Sequence, residues 1–251
     1  MMTERQPPPA GEVGRGADDV VLPPASEEEP PAAADLFGDH LPRARRLVDL
    51  LVEHGERRGL VGPRELGRLW SRHVLNSAAV QELVPVGSRL IDVGSGAGLP
   101  GLPLAIARPD IRMTLLEPMA RRVAWLEEAV EVLGLDVAVV RGRAEERQVR
   151  SELGGADVVT ARAVAPLAKL GTWCLPLLRP GGQLLALKGA SAEEEVERDA
   201  AALSRAGGSR AHVVRCGAES LAEPTTVVVV ERGQAAPPSR RAPARGRRTG
   251  R

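Results

Sequence analysis

Leu90 to Gly101 reads L-I-D-V-G-S-G-A-G-L-P-G, and the rest of the chain is organised around this stretch. Apolar residues lead into Asp92, and three alternating glycines follow before a helix can start. A buried parallel strand ends in this way when its last turn must lie against a nucleotide-like ligand. Glycines at 94, 96 and 98 carry no Cβ and tolerate positive φ, so a ligand can approach their backbone. The first N–H groups of the next helix lack intrahelical partners and face the same place.

Two kinds of ligand fit the stretch. Gly96-x-Gly98-x-x-Gly101 satisfies the dinucleotide fingerprint by count. Gly94-x-Gly96-x-Gly98, with Asp92 two residues ahead, resembles motif I of the methyltransferases that use S-adenosylmethionine.

Strands and helices alternate from Leu90 onward, which predicts a parallel sheet covered on both faces. The pattern places strands at 89–93, 112–116, 136–140, 156–160 and 182–187, with helices near 99–107, 119–133, 166–178 and 191–206. Val123, Leu126, Val130 and Leu133 give the second helix an apolar face at helical spacing. After Gly208 the pattern changes to two strands, His212 to Cys216 and Thr225 to Glu231, with no helix between them. An antiparallel hairpin of this kind closes the sheet of methyltransferases and is foreign to the second half of a dinucleotide-binding fold. Upstream, Leu41 to His54 and Leu66 to Val84 read as helices, and Pro63 can open a first turn. They predict a small helical cap.

Composition sets the class. The chain has 251 residues, 43% of them apolar, with one Phe, three Trp and no Tyr, so its core must be aliphatic. Cys174 and Cys216 lie far apart without metal-ligand spacing and read as buried thiols of a reducing cytoplasm. No apolar run is long enough to span a membrane, and the expectation is a soluble, cytoplasmic protein without a metal. The net charge of +1 hides a split between the ends. Residues 1–35 hold eight acids and two arginines, whereas 237–251 hold six arginines and no acid. Both ends are expected to be disordered, because neither can bury enough apolar surface to offset the ordering entropy. This divides the chain into a disordered segment 1–35, one domain over 36–232 and a basic tail over 233–251. Within the domain, 36–86 is the cap and 87–232 the core. The tail is expected to add a modest contact to nucleic acid.

The candidate site residues sit at strand ends. Glu117 ends the second strand 21 residues after Gly96, where an acid accepts both ribose hydroxyls of NAD or of S-adenosylmethionine alike. Gly142-Arg143-Ala144-Glu145-Glu146 follows the third strand, where the Ala144 N–H and an adjoining acid can read an adenine edge. Arg162 follows the fourth strand in T-A-R-A-V-A-P, at the place where many amino-methyltransferases carry N/D-P-P-Y. An arginine there suits a phosphate, a carboxylate or a base face. Lys188 ends the fifth strand in A-L-K-G and is the better candidate for a phosphate contact; His73 lies in the cap in S-R-H-V-L-N-S.

R-H-V-L-N-S, I-D-V-G-S-G-A-G-L-P-G-L-P-L-A, L-L-E-P-M-A-R-R-V-A-W-L, A-R-A-V-A-P-L and A-L-K-G occur in this order over about 120 residues. The set resembles the bacterial 16S rRNA guanine-N7 methyltransferase family, RsmG/GidB. The resemblance implies a class I methyltransferase fold: a doubly wound, Rossmann-like, seven-stranded sheet, mostly parallel, with an antiparallel C-terminal hairpin and the helical cap in front. It also implies S-adenosyl-L-methionine as cofactor and a guanine of 16S rRNA in the small ribosomal subunit as substrate.

By that resemblance Gly94, Leu99, Ala144, Glu145 and Arg162 match cofactor-binding positions, and Asp92, Gly96, Gly98 and Glu117 complete the cofactor set. His73, Arg162 and Lys188 are the substrate-side candidates. Glu117 and Asn76 stand where many members carry Asp. No general base is expected, because guanine N7 offers a lone pair and has no proton to lose. Two other readings remain open on sequence alone: a methyltransferase for a small molecule or protein, and an inactive rRNA-binding module.

Overall fold

The computed structural model describes residues 27–234. The acidic stretch 1–26 and the arginine-rich tail 235–251, on which the expectations of disorder and of an RNA contact mostly fall, lie outside the described residues.

Order begins earlier than the composition predicts. Helix α1 spans Ala32–Phe37 and buries Ala33 and Phe37. Ahead of it, Glu29 pairs with Arg45 at 2.6 Å and Glu27 accepts a hydrogen bond from the Ser71 N–H. Two apolar anchors therefore outweigh a Pro/Ala-rich composition. Helix α2, Leu41–His54, opens with Pro42 in its first turn and buries Ala44, Leu47, Val48, Leu50 and Leu51. The stretch expected as one helix over 66–84 is helical but irregular. A 3₁₀ turn at Pro63–Arg68 leads into a π-helical turn at Leu69–Leu75, then α3 at Asn76–Ala78 and a 3₁₀ turn at Ala79–Leu83.

The core follows as β1 (Arg89–Val93), α4 (Gly101–Ala107), β2 (Arg112–Glu117), α5 (Ala120–Leu133), β3 (Val137–Arg141), α6 (Arg147–Leu153), β4 (Ala156–Arg162), α7 (Leu167–Cys174), β5 (Leu178–Leu187), α8 (Ala192–Arg205), β6 (Gly208–Cys216) and β7 (Thr225–Arg232). The seven strands lie in the order β3-β2-β1-β4-β5-β7-β6. β1 to β5 pair in parallel, and β7 inserts antiparallel between β5 and β6. The fold expected from the alternation is the one observed, α6 excepted, which the sequence pattern did not yield.

Strand periodicity divides the core into two layers. Leu90, Met113, Leu115, Val158, Leu185 and Val229 face one side, packed with the cap, α4 and α5. Ile91, Val93, Val159, Leu184, Val228 and Val230 face the other side, under α7 and α8. The cap thus shares one apolar cluster with half of the sheet. Both cysteines are buried, and burial pushes each thiol up to about 12, so neither is a nucleophile. Among the described residues no helix is long and apolar enough to cross a membrane.

β1 lies between β2 and β4, and the chain reverses direction across the sheet at this point. In open α/β sheets the crevice beyond the strand ends at such a reversal is where ligands bind.

Candidate active site

The site starts from the acid that the glycine motif places in β1. Asp92 is 1% exposed; its Oδ1 accepts from the Thr160 hydroxyl at 2.8 Å and its Oδ2 from the Gly101 N–H at 3.2 Å. The carboxylate therefore ties β1 to β4 and to the start of α4, and it does not line the cavity described below. Its expected place among the ligand contacts is corrected for that reason. Burial drives its pKa up to about 6, against hydrogen bonds from its neighbours that work the other way.

A raised pKa has a definite sign for stability. The folded protein holds a proton at Asp92 between about 4 and 6 that the unfolded chain has released, so this group's contribution falls as pH rises through that window. Asp92→Asn keeps both contacts, since Oδ1 can accept from Gly101 while the amide donates to the Thr160 hydroxyl. We expect Asp92→Asn to gain about 3 kcal/mol over the parent at pH 8 and to lose most of that advantage at pH 4. Urea unfolding at the two pH values measures it, and a variant weaker at pH 8 shows that the ionised form is the stabilising one.

The glycines divide the labour. Gly94 has φ +71°, and a Cβ there would lie 2.9 Å from Val164 Cγ2. Gly96 has φ +57° and donates its N–H to Glu117 Oε2 at 3.0 Å. Gly98 has φ +93°, and a Cβ there would strike Leu102; it shapes the turn and does not reach the cavity.

Glu117 ends β2 at 1% exposure, and its Oε1 accepts from the Met119 N–H at 2.9 Å. Two backbone donors thus hold the carboxylate still. They use about two of its roughly four acceptor sites, which leaves the others for a pair of hydroxyls.

Around these residues lies a cavity of about 1120 Å³ at the strand ends. Gly94, Gly96, Leu99, Glu117, Ala144, Glu145 and Arg162 line it, so seven of the nine residues expected to contact the cofactor meet there. Ala144 is buried, with its carbonyl accepting from Arg150 Nε at 3.0 Å, while Glu145 is exposed. Trp173, Met119 and Glu65 also line the cavity, and the sequence pattern gave no sign of them.

Two substrate-side candidates have other tasks. Lys188 lines the cavity, but its Nζ donates to Glu195 Oε2 at 2.8 Å and to the Ala165 carbonyl at 3.1 Å. Its charge is paired inside the protein, where it holds the loop after β4, and the structure does not test the expected phosphate contact. Burial works to raise the Glu195 carboxyl, but its bond to Lys188 prevails and holds it below the usual range. His73 also lines the cavity, yet both of its ring nitrogens are engaged, Nε2 with Glu65 at 2.7 Å and Nδ1 with Arg162. No ring nitrogen remains for a substrate.

Arg162 is the point where cap and core meet. Its guanidinium donates to the Ser77 hydroxyl at 3.1 Å, to the carbonyls of Arg72 and His73 at 3.4 Å, and to His73 Nδ1. Every one of these partners is neutral. Burial depresses its pKa, with Arg72 adding to the effect. Among the described residues no three His, Cys, Asp or Glu side chains cluster to hold a metal ion.

The arrangement is a nucleoside-sized crevice with a fixed carboxylate on one wall and an arginine without an adjacent acid on another. Proteins of known sequence and structure resemble this chain at two levels. The family model for rRNA small subunit methyltransferase G matches residues 40–223. Ribosomal RNA small subunit methyltransferase G of Rhodococcus jostii is 57% identical over 201 residues, covering 80% of this chain and 88% of that one. The protein of the same name from Salinispora tropica is 56% identical over 227 residues, covering 88% and 93%. Among solved structures, a SAM-dependent O-methyltransferase of Thermotoga maritima superposes with TM-score 0.50 at 16% identity, covering 76% of this chain and 72% of that one. That likeness concerns the fold. With the family model over most of its length and relatives above half identity, the chain belongs to the rRNA small subunit methyltransferase G family.

Proposed function

We propose that the protein transfers a methyl group from S-adenosyl-L-methionine to N7 of a guanine in the 16S rRNA of the small ribosomal subunit. The observation that carries this is the cavity itself. It joins a nucleoside-binding carboxylate, Glu117 on its two backbone donors, to walls that hold no cysteine and whose one histidine, His73, is engaged at both ring nitrogens. Membership of the family and the names of its members support the RNA substrate.

The residues present fit the cofactor. Gly94 and Gly96 let it approach the backbone, Glu117 would accept its ribose hydroxyls, and Leu99, Ala144 and Glu145 would flank its base. Bound there, it supplies an activated methyl group on a cationic sulfur. The protein's part is then to align the acceptor and keep water away, because an N7 lone pair needs no proton removed. His73 and Glu117 are both held in hydrogen bonds, in agreement with a site that moves no proton. On this reading residues 36–232 work as one unit, with the cap over 36–86 forming a wall of the site, and the protein acts in the cytoplasm.

Arg143 and Arg215 stand exposed at the cavity rim and make no ion pair among the described residues. They are placed to meet phosphates. Charge reversal of either, Arg143→Glu or Arg215→Glu, is expected to weaken RNA binding and to lower the salt slope by about 1 per lost phosphate contact. The function is tested by incubating the protein and labelled cofactor with 30S particles from a strain lacking the modification, then mapping the methyl group by mass. N7-methylguanine in 16S rRNA is the expected product. Transfer to free metabolites alone would replace this reading with a small-molecule methyltransferase.

A further inference from the structure

Glu65, His73 and Arg162 form a line of hydrogen bonds from the cap into the cavity wall. Glu65 Oε2 lies 2.7 Å from His73 Nε2, and the other ring nitrogen, Nδ1, meets Arg162 Nη2. A guanidinium can only donate, so Nδ1 must present its lone pair and the ring must carry its proton on Nε2. A carboxylate can only accept, and it takes that proton's hydrogen bond. Both ends of the ring therefore demand the same neutral tautomer. Glu65 is exposed enough to stay charged, and it is the nearest acid along this line to a buried arginine whose direct partners are all neutral.

Local structure sets this line up. Glu65 comes from the 3₁₀ turn at Pro63–Arg68, and His73 from the π-helical turn that follows. The carbonyls of Arg72 and His73 in this turn accept from Arg162. Arg162 itself is the last residue of β4, beside Ala163, a non-glycine residue at φ +54°. Strained backbone of this kind persists where surrounding contacts over-determine it.

The geometry points to Glu65 and His73 as positioning residues for methyl transfer: Glu65 fixes the imidazole in its Nε2–H form, and that form alone can accept the Arg162 hydrogen bond that sets the guanidinium at the cavity wall. The inference rests on reading the cavity as the methyl-transfer site. Protonation of His73 would leave Nδ1 with a hydrogen and place one cation against another. Facing the ring are Glu65 from the preceding turn, with Arg68 acting on it, Arg72 on the ring's own turn, and Arg162 from β4, on which Asp92 also acts. Burial, then Arg162, holds the histidine below its ordinary 6.5, while Glu65 pulls it upward. The neutral form is thus the working form, and activity is lost as pH falls through the His73 value.

Nitrogen-15 spectra of the histidine rings in the full-length protein test the relay without turnover. His73→Asn identifies the signal. We expect a neutral Nε2–H tautomer that titrates below 6.5, and methyl transfer to 30S particles with an acid limb at the same midpoint. Glu65→Gln keeps an acceptor for Nε2–H but removes the charge, so both midpoints should move to lower pH together. Glu65→Ala removes the acceptor and should lower kcat/KM about tenfold at pH 8, the scale of one hydrogen bond to a charged group, with Gln restoring most of that loss. An Nδ1–H tautomer, a His73 titration at or above 6.5, or an acid limb that does not move in Glu65→Gln would each overturn the proposal. If the Glu65 variants fail to fold, the ring spectrum of the parent still decides it. Absence of transfer to 30S at every pH would instead remove the substrate reading and leave the spectrum to judge the relay.

Discussion

Glu117→Ala is expected to weaken binding of S-adenosylhomocysteine by at least about a hundredfold, the size expected when two hydrogen bonds to a charged acceptor are lost together. The substitution removes the acceptor for both ribose hydroxyls and also strands the N–H groups of Gly96 and Met119, which Glu117 satisfies at 3.0 and 2.9 Å. Both consequences act on the same wall of the cavity, so the loss belongs to binding more than to folding. Glu117→Gln separates them. One oxygen survives, but the amide group then faces a backbone donor with a donor, and an intermediate loss follows. Titration calorimetry on the two variants measures the series. An alanine variant that binds within a few-fold of the parent would show that this carboxylate is a turn-forming residue and does not contact the nucleoside.

Gly101→Ala is expected to destabilise the fold by about 1–3 kcal/mol, the usual cost of forcing a methyl group into a packed interior. A Cβ at 101 would lie 2.3 Å from Leu115 Cδ2, 2.9 Å from Asp92 Oδ2 and 3.1 Å from Asp92 Cβ. Neither neighbour can retreat: Leu115 is fully buried in β2, and Asp92 is held by Thr160 and by the Gly101 N–H itself. For a chain of this length the loss appears as a fall of about 2–4 °C in Tm per kcal/mol. The pair is coupled, so Leu115→Ala combined with Gly101→Ala should lose less than the two single losses added together. Strict additivity in that cycle would show that the clash is absorbed by backbone movement and not by Leu115.

These two positions show what the sequence made legible. Three glycines, an apolar run and a carboxylate 21 residues on located the crevice, because backbone freedom and strand spacing are local properties written in residue type. The antiparallel close of the sheet was legible for the same reason, in the change of period after Gly208. The direction in which a side chain points is not local. Asp92 reads like a ligand contact beside Glu117, yet β-strand alternation and the approach of α4 turn it inward, away from the cavity. Lys188 reads like a free cation because its partner Glu195 is one of three consecutive glutamates that open α8. Glu65 gave no signal at all. It meets His73 only because a 3₁₀ turn runs into a π-helical one, and the apolar spacing from Leu66 onward fits an ordinary helix. Helix α6 escaped notice because Val149 is its one buried residue, which leaves no periodicity to detect.

The two donors that grip Glu117 have a kinetic meaning as well as a thermodynamic one. The carboxylate is held in place by two backbone donors of its own chain, and Arg162 is likewise fixed by four contacts between cap and core. Little of this wall has to be ordered when a nucleoside arrives, so affinity is not spent on conformational entropy. Association should therefore follow a single exponential whose rate rises linearly with ligand concentration, without the plateau that a slow rearrangement after encounter imposes.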